Sequence, residues 1–138
     1  MNIYALITTF NRPELLVGRA FNSVVSQSQK PHKVVLVDNS TSALTKKTNK
    51  ENFKLAFPEG TYLENQGSPG ASGTWNTGLD WIQSDDPDAW VAVIDDDDEW
   101  FENHLEICSK QMNGNDAVLS GIQILIDGKV KEETIPND

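Results

Sequence analysis

An α/β fold, with a mostly parallel sheet sandwiched between two helical layers, is predicted by three observations. Short, almost fully apolar runs at Ile3 to Ile7, Lys33 to Val37 and Ala89 to Ile94 have the character of strands buried on both faces. Between the first two runs, apolar residues recur at helical spacing, as in a right-handed βαβ unit. A length of 138 residues gives room for one core, so the expected organisation is a single domain over residues 1-138.

The elements follow in order. After the first run comes Thr8-Thr9-Phe10-Asn11-Arg12-Pro13, and then Leu15, Leu16, Ala20, Phe21, Val24 and Val25 mark one helical face. Pro13 suits a first helical turn, where a missing N–H costs little, and Glu14 suits the positive end of the dipole. Thr8, Thr9 and Asn11 lie on the edge where a ligand would sit, or else form an ordinary strand-to-helix turn with Asn11 as N-cap. Asp38 closes the second strand, and Asp38 to Lys50 is polar enough to be a surface connection with one helical turn. Thr61 to Leu63 is a third short strand, and Asn65 to Gly73 is a turn-rich loop. Trp75, Leu79 and Ile82 then share a helical face, and Ala89 to Ile94 is the next buried strand. Phe101, Leu105, Cys108 and Met112 suggest another helix, followed by a strand over Ala117 to Ile126. Asp127-Gly128 is a hairpin signal, with Lys129 to Ile135 returning as a strand.

Charge narrows the function. A formal net charge of −10 repels phosphate backbones, which argues against nucleic-acid binding. It repels a nucleoside diphosphate too, so such a ligand would need a cation, a helix N-terminus or an arginine. The lone Cys108 allows no intramolecular disulfide, no Cys/His cluster has zinc-site spacing, and a reducing cytoplasm fits best. No apolar run approaches the ~20 residues that span a bilayer, and no signal peptide opens the chain.

The chemistry concentrates at Asp95-Asp96-Asp97-Asp98-Glu99, directly after a buried strand. In open α/β sheets ligands bind at the carboxyl ends of strands. Were the segment extended, Asp95 and Asp97 would share one side and Asp96 the other. Mutual repulsion among these carboxylates would be relieved by a hard cation, Mg²⁺ or Mn²⁺, shared with substrate phosphates. The alternative is a solvated acidic turn capping the helix that begins near Trp100. Asp38 should emerge on the same edge, either to accept a hydrogen bond from a base or ribose or to organise its own loop. GSPGASGT fails as a P-loop, since its spacing is too long and no Lys follows, but its glycines allow close backbone approach at a helix N-terminus. His104 and Cys108 lack further partners with metal-site spacing and read as half-buried packing residues.

In order along the chain, these pieces resemble glycosyltransferase family 2, a group with the GT-A fold. LITTFNRPELLVGRAFNSVVSQS is similar to the opening strand, turn and helix, and VVLVDNSTS to the strand ending in a base-recognising aspartate. ENQGSPGASGTWNTGLDWI resembles the Asn-x-Gly segment and the Ala-Arg-Asn-x-Gly helix, and WVAVIDDDDEWFENHLE the DxD block. The resemblance implies that Thr8 and Phe10 line a base pocket, that Asp38 binds the base, and that Asn76, Asp95 and Asp96 lie by the ribose and diphosphate. It makes Asp97 the main metal ligand, with Asp95 beside it, for Mg²⁺ or Mn²⁺. Trp75 stands where the family often has an arginine, leaving Arg12 as a replacement cation.

The expected activity is metal-dependent transfer of a sugar, with inversion, from a nucleoside-diphosphate sugar, a UDP-sugar first, to an acceptor hydroxyl. Family members continue past the hairpin into an acceptor region that carries a general base, so the chain reads as a truncated or minimal member able to bind donor but poor at transfer. Glu132 and Glu133 are the available carboxylates there, and an exposed sheet edge would favour self-association. A non-catalytic nucleotide-sugar-binding domain is the main alternative. A sugar nucleotidyltransferase would need an N-terminal Gly-rich motif with Arg and Lys, which is absent.

Overall fold

The structure, a computed structural model, describes residues 2–134 apart from the side chain of residue 125. It divides into two compact units, Met1–Leu105 and Glu106–Asp138. In the first, β1 (Ile3–Thr9), β2 (Lys33–Asp38), β3 (Thr61–Glu64) and β4 (Trp90–Asp95) form a wholly parallel sheet in the order β3-β2-β1-β4. Every residue of β1 is buried, which explains why its sequence is an unbroken apolar run and not an alternating one.

Alternate residues of the sheet feed two cores. Ala5, Ile7, Val34, Leu36 and Ile94 pack on Leu16, Ala20, Phe21, Val24 and Phe53. Tyr4, Leu6, Val35 and Val37 face the other way, onto Ile82. The first core is covered by α1 (Pro13–Leu15), a π-helical segment at Leu16–Phe21, α2 (Asn22–Val25) and α3 (Ala43–Ala56), and the second by α4 (Ala71–Asp85). A three-layer α/β/α sandwich results, as expected. α5 (His104–Ser109) begins at the boundary between the units. In the second unit, β5 (Ile122–Ile126) and β6 (Lys129–Thr134) form an antiparallel hairpin. Its turn places both Asp127 (φ 52°) and Gly128 (φ 75°) in the left-handed region, the conformation that makes Asp-Gly a hairpin signal. Ile135 lies outside the described residues.

Several local expectations are corrected. The polar stretch after Asp38 is no surface connection with one turn: α3 runs for 14 residues, started by the Ser42 side chain accepting the Thr45 N–H at 3.1 Å. Its Lys, Leu, Ala and Glu residues favour helix, but only Asn49 and Phe53 are buried, so the apolar stripe is too narrow to read. Asn11 does not cap α1. It takes φ 53°, its side chain engages Thr41, and Arg12 occupies the cap position without a side-chain bond. The helix expected over Phe101 to Met112 shortens to the six residues of α5, and the strand expected from Ala117 begins at Ile122.

Gly78 sets how closely α4 approaches the sheet. A Cβ there would lie 2.4 Å from Leu6 Cδ1 and 3.0 Å from Val37 Cγ2, both side chains fully buried. Gly78→Ala should therefore lose stability in urea denaturation, because an overpacking cost of about 1–3 kcal/mol outweighs a helix-propensity gain of at most about 1 kcal/mol. Equal or greater stability would mean that the helix has slack against the sheet.

At the opposite end from the carboxyl edge, the Tyr4 hydroxyl donates to Asp85 at 2.5 Å and Lys33 Nζ lies 2.7 Å from the same oxygen. Burial first, and then Asp85, pushes the Tyr4 hydroxyl up to about 12. Lys33, and then Tyr4, hold the Asp85 carboxyl below its ordinary value of 3.8. A depressed carboxyl contributes stability that is present above the ordinary value and lost as pH falls through the lower folded value. Asp85→Asn should flatten the acid limb of a melting-temperature profile below that ordinary value, while an unchanged limb would mean that this contact adds nothing.

Candidate functional site

The order of strands marks the edge where a ligand would sit. The chain passes from β1 to β2 and β3 on one side, then returns to place β4 on the other side of β1. The connection leaving β1 covers the first core and the one leaving β3, α4, covers the second, so the strand order reverses between β1 and β4, the arrangement at whose carboxyl edge open α/β sheets bind ligands. Register brings Thr8 opposite Asp95 and Thr9 opposite Asp38 at this edge.

The ends of β1 and β4 are fastened by side chains. Thr8 Oγ1 donates to Asp95 Oδ1 at 2.9 Å, on the face covered by α4. Thr9 Oγ1 donates to Asp96 Oδ2 at 3.0 Å, and the Phe10 N–H donates to the same oxygen at 3.1 Å. Asp96 is only 5% exposed, and its other oxygen lies 3.3 Å from Arg12 Nη1. The backbone turns at Asp96 and Asp97, with the Asp98 N–H donating to the Asp95 carbonyl at 3.2 Å. The expected alternation along an extended run thus stops at Asp95, because backbone closure of the turn sets where each later carboxylate goes.

Asp97 lies outward, with its side chain 41% exposed, and its Oδ2 is 2.8 Å from Arg12 Nη1. Arg19, on the π-helical segment, donates to the Asp97 carbonyl at 3.0 Å. Desolvation first, then the neighbouring charges of Asp97, Asp95 and Asp96, raise the Asp98 carboxyl above its ordinary value. Repulsion in the run is thus offset by two arginines but not removed.

Asp38 is 1% exposed and accepts three hydrogen bonds from the protein. Its Oδ1 accepts the Ser40 N–H at 2.9 Å, and its Oδ2 accepts Asn49 Nδ2 at 3.1 Å and the Tyr62 hydroxyl at 2.8 Å. Burial, and then this bond to Asp38, push the Tyr62 hydroxyl far up. Beyond Asp38, Asn65 bonds Asn39 at 2.9 Å and accepts from Gly67 N–H and Thr77 Oγ1 at 2.9 and 3.0 Å, joining β2, β3 and α4. Gly73 permits the loop to fold back, since a Cβ there would lie 1.8 Å from the Ser68 carbonyl oxygen.

Of the sequence-predicted residues, Thr8, Asp95, Asp96 and Asp97 converge on the β1/β4 edge, and Phe10 lies beside them, 49% exposed. Asp38 closes the adjacent strand, and Asn76 is exposed on α4. Sequence reasoning missed Ser40, Asn49, Tyr62 and Arg19. None carries a local signal, because each reaches the edge from a different element.

The donor set suits Mg²⁺ or Mn²⁺. It offers only hard carboxylate oxygens. Among the described residues, no three His, Cys, Asp or Glu side chains form a ready-made cage.

A parallel sheet covered on both faces, with an acidic turn at its switch point, places the protein in the GT-A class of α/β folds. The chain belongs to glycosyl transferase family 2, whose profile matches residues 4–137. It is 28% identical over 124 residues to the putative colanic acid biosynthesis glycosyl transferase WcaA of Escherichia coli K12, covering 88% of this chain and 42% of that protein. The mannosyltransferase PcManGT of Pyrobaculum calidifontis, solved in complex with GDP-Man and Mn²⁺, superimposes with a TM-score of 0.64 at 18% identity, over 90% of this chain and 35% of its own. S. aureus TarS gives 0.58 at 20% identity, over 82% and 20%. The chain thus spans less than half the length of each of these relatives.

The buried and exposed aspartates should separate on substitution. Asp96→Ala strands the Thr9 and Phe10 donors and should cost about 2–4 kcal/mol in chemical denaturation. Asp97→Ala loses a half-exposed ion pair and should cost under about 1 kcal/mol. Equal losses would contradict this division between a residue that holds the turn and one that the turn presents.

Proposed function

We propose that this chain binds the donor in metal-dependent transfer of a sugar, with inversion, from a nucleoside-diphosphate sugar to an acceptor hydroxyl. The observation that carries the reading is the acidic turn, fixed by threonines at the β1/β4 switch point, with Asp97 turned outward. Membership of glycosyl transferase family 2 supports the reaction class, and the GDP-Man and Mn²⁺ bound to PcManGT support the type of donor and cation.

In this reading Asp97, with Asp95, holds the Mg²⁺ or Mn²⁺. Thr8 fixes the Asp95 carboxylate, and Asp96 fixes the turn from below without contacting ligand. When bound, the cation would stabilise charge developing on the leaving diphosphate. The N-terminus of α4 opens at the same edge with no side-chain cap, and its dipole favours an anion there. Phe10 offers an exposed ring to a base. Asp38 accepts three protein hydrogen bonds, and an ionised carboxylate has about four acceptor sites, leaving room for one base N–H. Its burial favours a second role, in which it shapes the Asn39–Ser40 turn that borders the base. Glu132 and Glu133 are exposed on β6, and no general base is assigned.

The test is a thermal-shift screen of UDP-, GDP- and dTDP-sugars with Mn²⁺ or EDTA. A ligand at a hundred times its dissociation constant stabilises the native state by about 2.7 kcal/mol, so one nucleotide class should raise the melting temperature by several degrees with Mn²⁺ and not with EDTA. A shift of equal size in EDTA would contradict metal dependence, and none with any donor would contradict the donor-binding role.

A further inference from the structure

Arg12 touches the acidic turn through one end of its guanidinium. A single nitrogen, Nη1, makes both contacts, at 2.8 Å to Asp97 Oδ2 and 3.3 Å to Asp96 Oδ1. The Arg12 side chain is 47% exposed and that of Asp97 41%. The Arg12–Asp97 pair, open to water on both sides, is weak and separates at little cost, whereas the Asp96 side chain is only 7% exposed. The backbone beneath is held firmly: the Asn11 N–H donates to Ser40 Oγ at 2.9 Å, and Asn11 Oδ1 accepts the Thr41 N–H at 3.0 Å. Asp96 keeps its Thr9 and Phe10 donors whether or not Arg12 stays. The arrangement is an exposed cation on a firmly held backbone, resting on a half-exposed carboxylate of the turn.

We propose that Arg12 is the resident counter-ion of the acidic turn and the positioning residue that couples diphosphate binding to cation binding. This rests on the donor-binding reading above. Without ligand, Arg12 occupies Asp97 and offsets repulsion within the run. A divalent cation competes with it for that carboxylate. A diphosphate competes with Asp97 for the guanidinium, whose planar fork matches phosphate oxygens. Each ligand therefore frees the group that the other needs, and by linkage the enhancement is reciprocal. A chain with a net charge of −10 gains from this, because the cation that quiets its acidic turn at rest is re-used on an anionic ligand.

The experiment measures Mn²⁺ affinity from the free-Mn²⁺ EPR signal, with Mn²⁺ alone and then with saturating UDP or GDP, for the wild type, Arg12→Gln, Arg12→Lys and Arg19→Gln. Circular dichroism melts confirm folding of each variant. Arg12→Gln should bind Mn²⁺ alone more tightly, by about three- to tenfold, having lost a competitor. The further gain on adding nucleotide should shrink by a similar factor. Arg12→Lys should return the Mn²⁺-only value toward wild type, because one ammonium can bridge the two carboxylates as Nη1 does, and should restore the nucleotide effect only in part, because it lacks the planar fork. Arg19→Gln removes an equal charge that contacts only the Asp97 carbonyl, and should change Mn²⁺ affinity less than about twofold. Equal or weaker Mn²⁺ binding by Arg12→Gln would overturn the proposal, as would an undiminished nucleotide effect, or a gain for Arg19→Gln as large as for Arg12→Gln. If neither UDP nor GDP alters Mn²⁺ binding to the wild type, the coupling fails along with the donor-binding reading. The Mn²⁺-only comparison still decides whether Arg12 is the counter-ion.

Discussion

Asp96 is the constraint around which the carboxyl edge is built. A carboxylate 5% exposed at the end of a buried strand must find donors within the protein, since leaving it unpaired would be costly. It finds them on the neighbouring strand, in the Thr9 hydroxyl and the Phe10 N–H, and a counter-charge in Arg12. That requirement ties β4 to β1 beyond their backbone ladder, fixes where the chain turns, and leaves Asp97 facing water. The Thr8 bond to Asp95 does the same on the other face of the sheet. Consecutive threonines are therefore matched to consecutive aspartates, one pair for each side of the pleat.

The same logic explains the second polar centre. Asp38 draws Ser40, Asn49 and Tyr62 around it, so that the β2 loop, α3 and β3 meet at one buried carboxylate. Asn65 extends the network to α4 through Thr77. Helices on both faces are thus registered to the strand ends by polar contacts, while Gly78 and the apolar clusters set their distance from the sheet. A site assembled from so many elements is preorganised by the fold itself, which suits a role in placing a ligand of fixed shape.

Much of this was legible in the sequence where one physical rule dominates. Buried parallel strands leave unbroken apolar runs, and so β1, β2 and β4 were readable to within a residue or two at each end. The acidic run stood out because adjacent carboxylates after an apolar strand require compensation. α3 was not legible, since a helix that buries Asn49 and Phe53 alone among its residues leaves almost no periodic signal. Nor was the turn at Asp96, which depends on a hydroxyl 87 residues away in the chain. Arg12 was noticed as a spare cation, but its attachment to Asp97 is a fact of three-dimensional proximity that no local pattern carries.

The central claim is that ligand binds at the carboxyl edge of the β1/β4 switch. Backbone amide chemical shifts, followed by NMR as a nucleoside-diphosphate sugar and Mg²⁺ are added, test it most directly. The account expects the largest changes at Thr8 to Arg12, Asn39 to Ser40 and Asp95 to Asp98, with the Tyr4, Lys33 and Asp85 end of the sheet unmoved. Changes centred on that opposite end, or on the shallow groove lined by Gly18, Asn22 and Trp100, would contradict it.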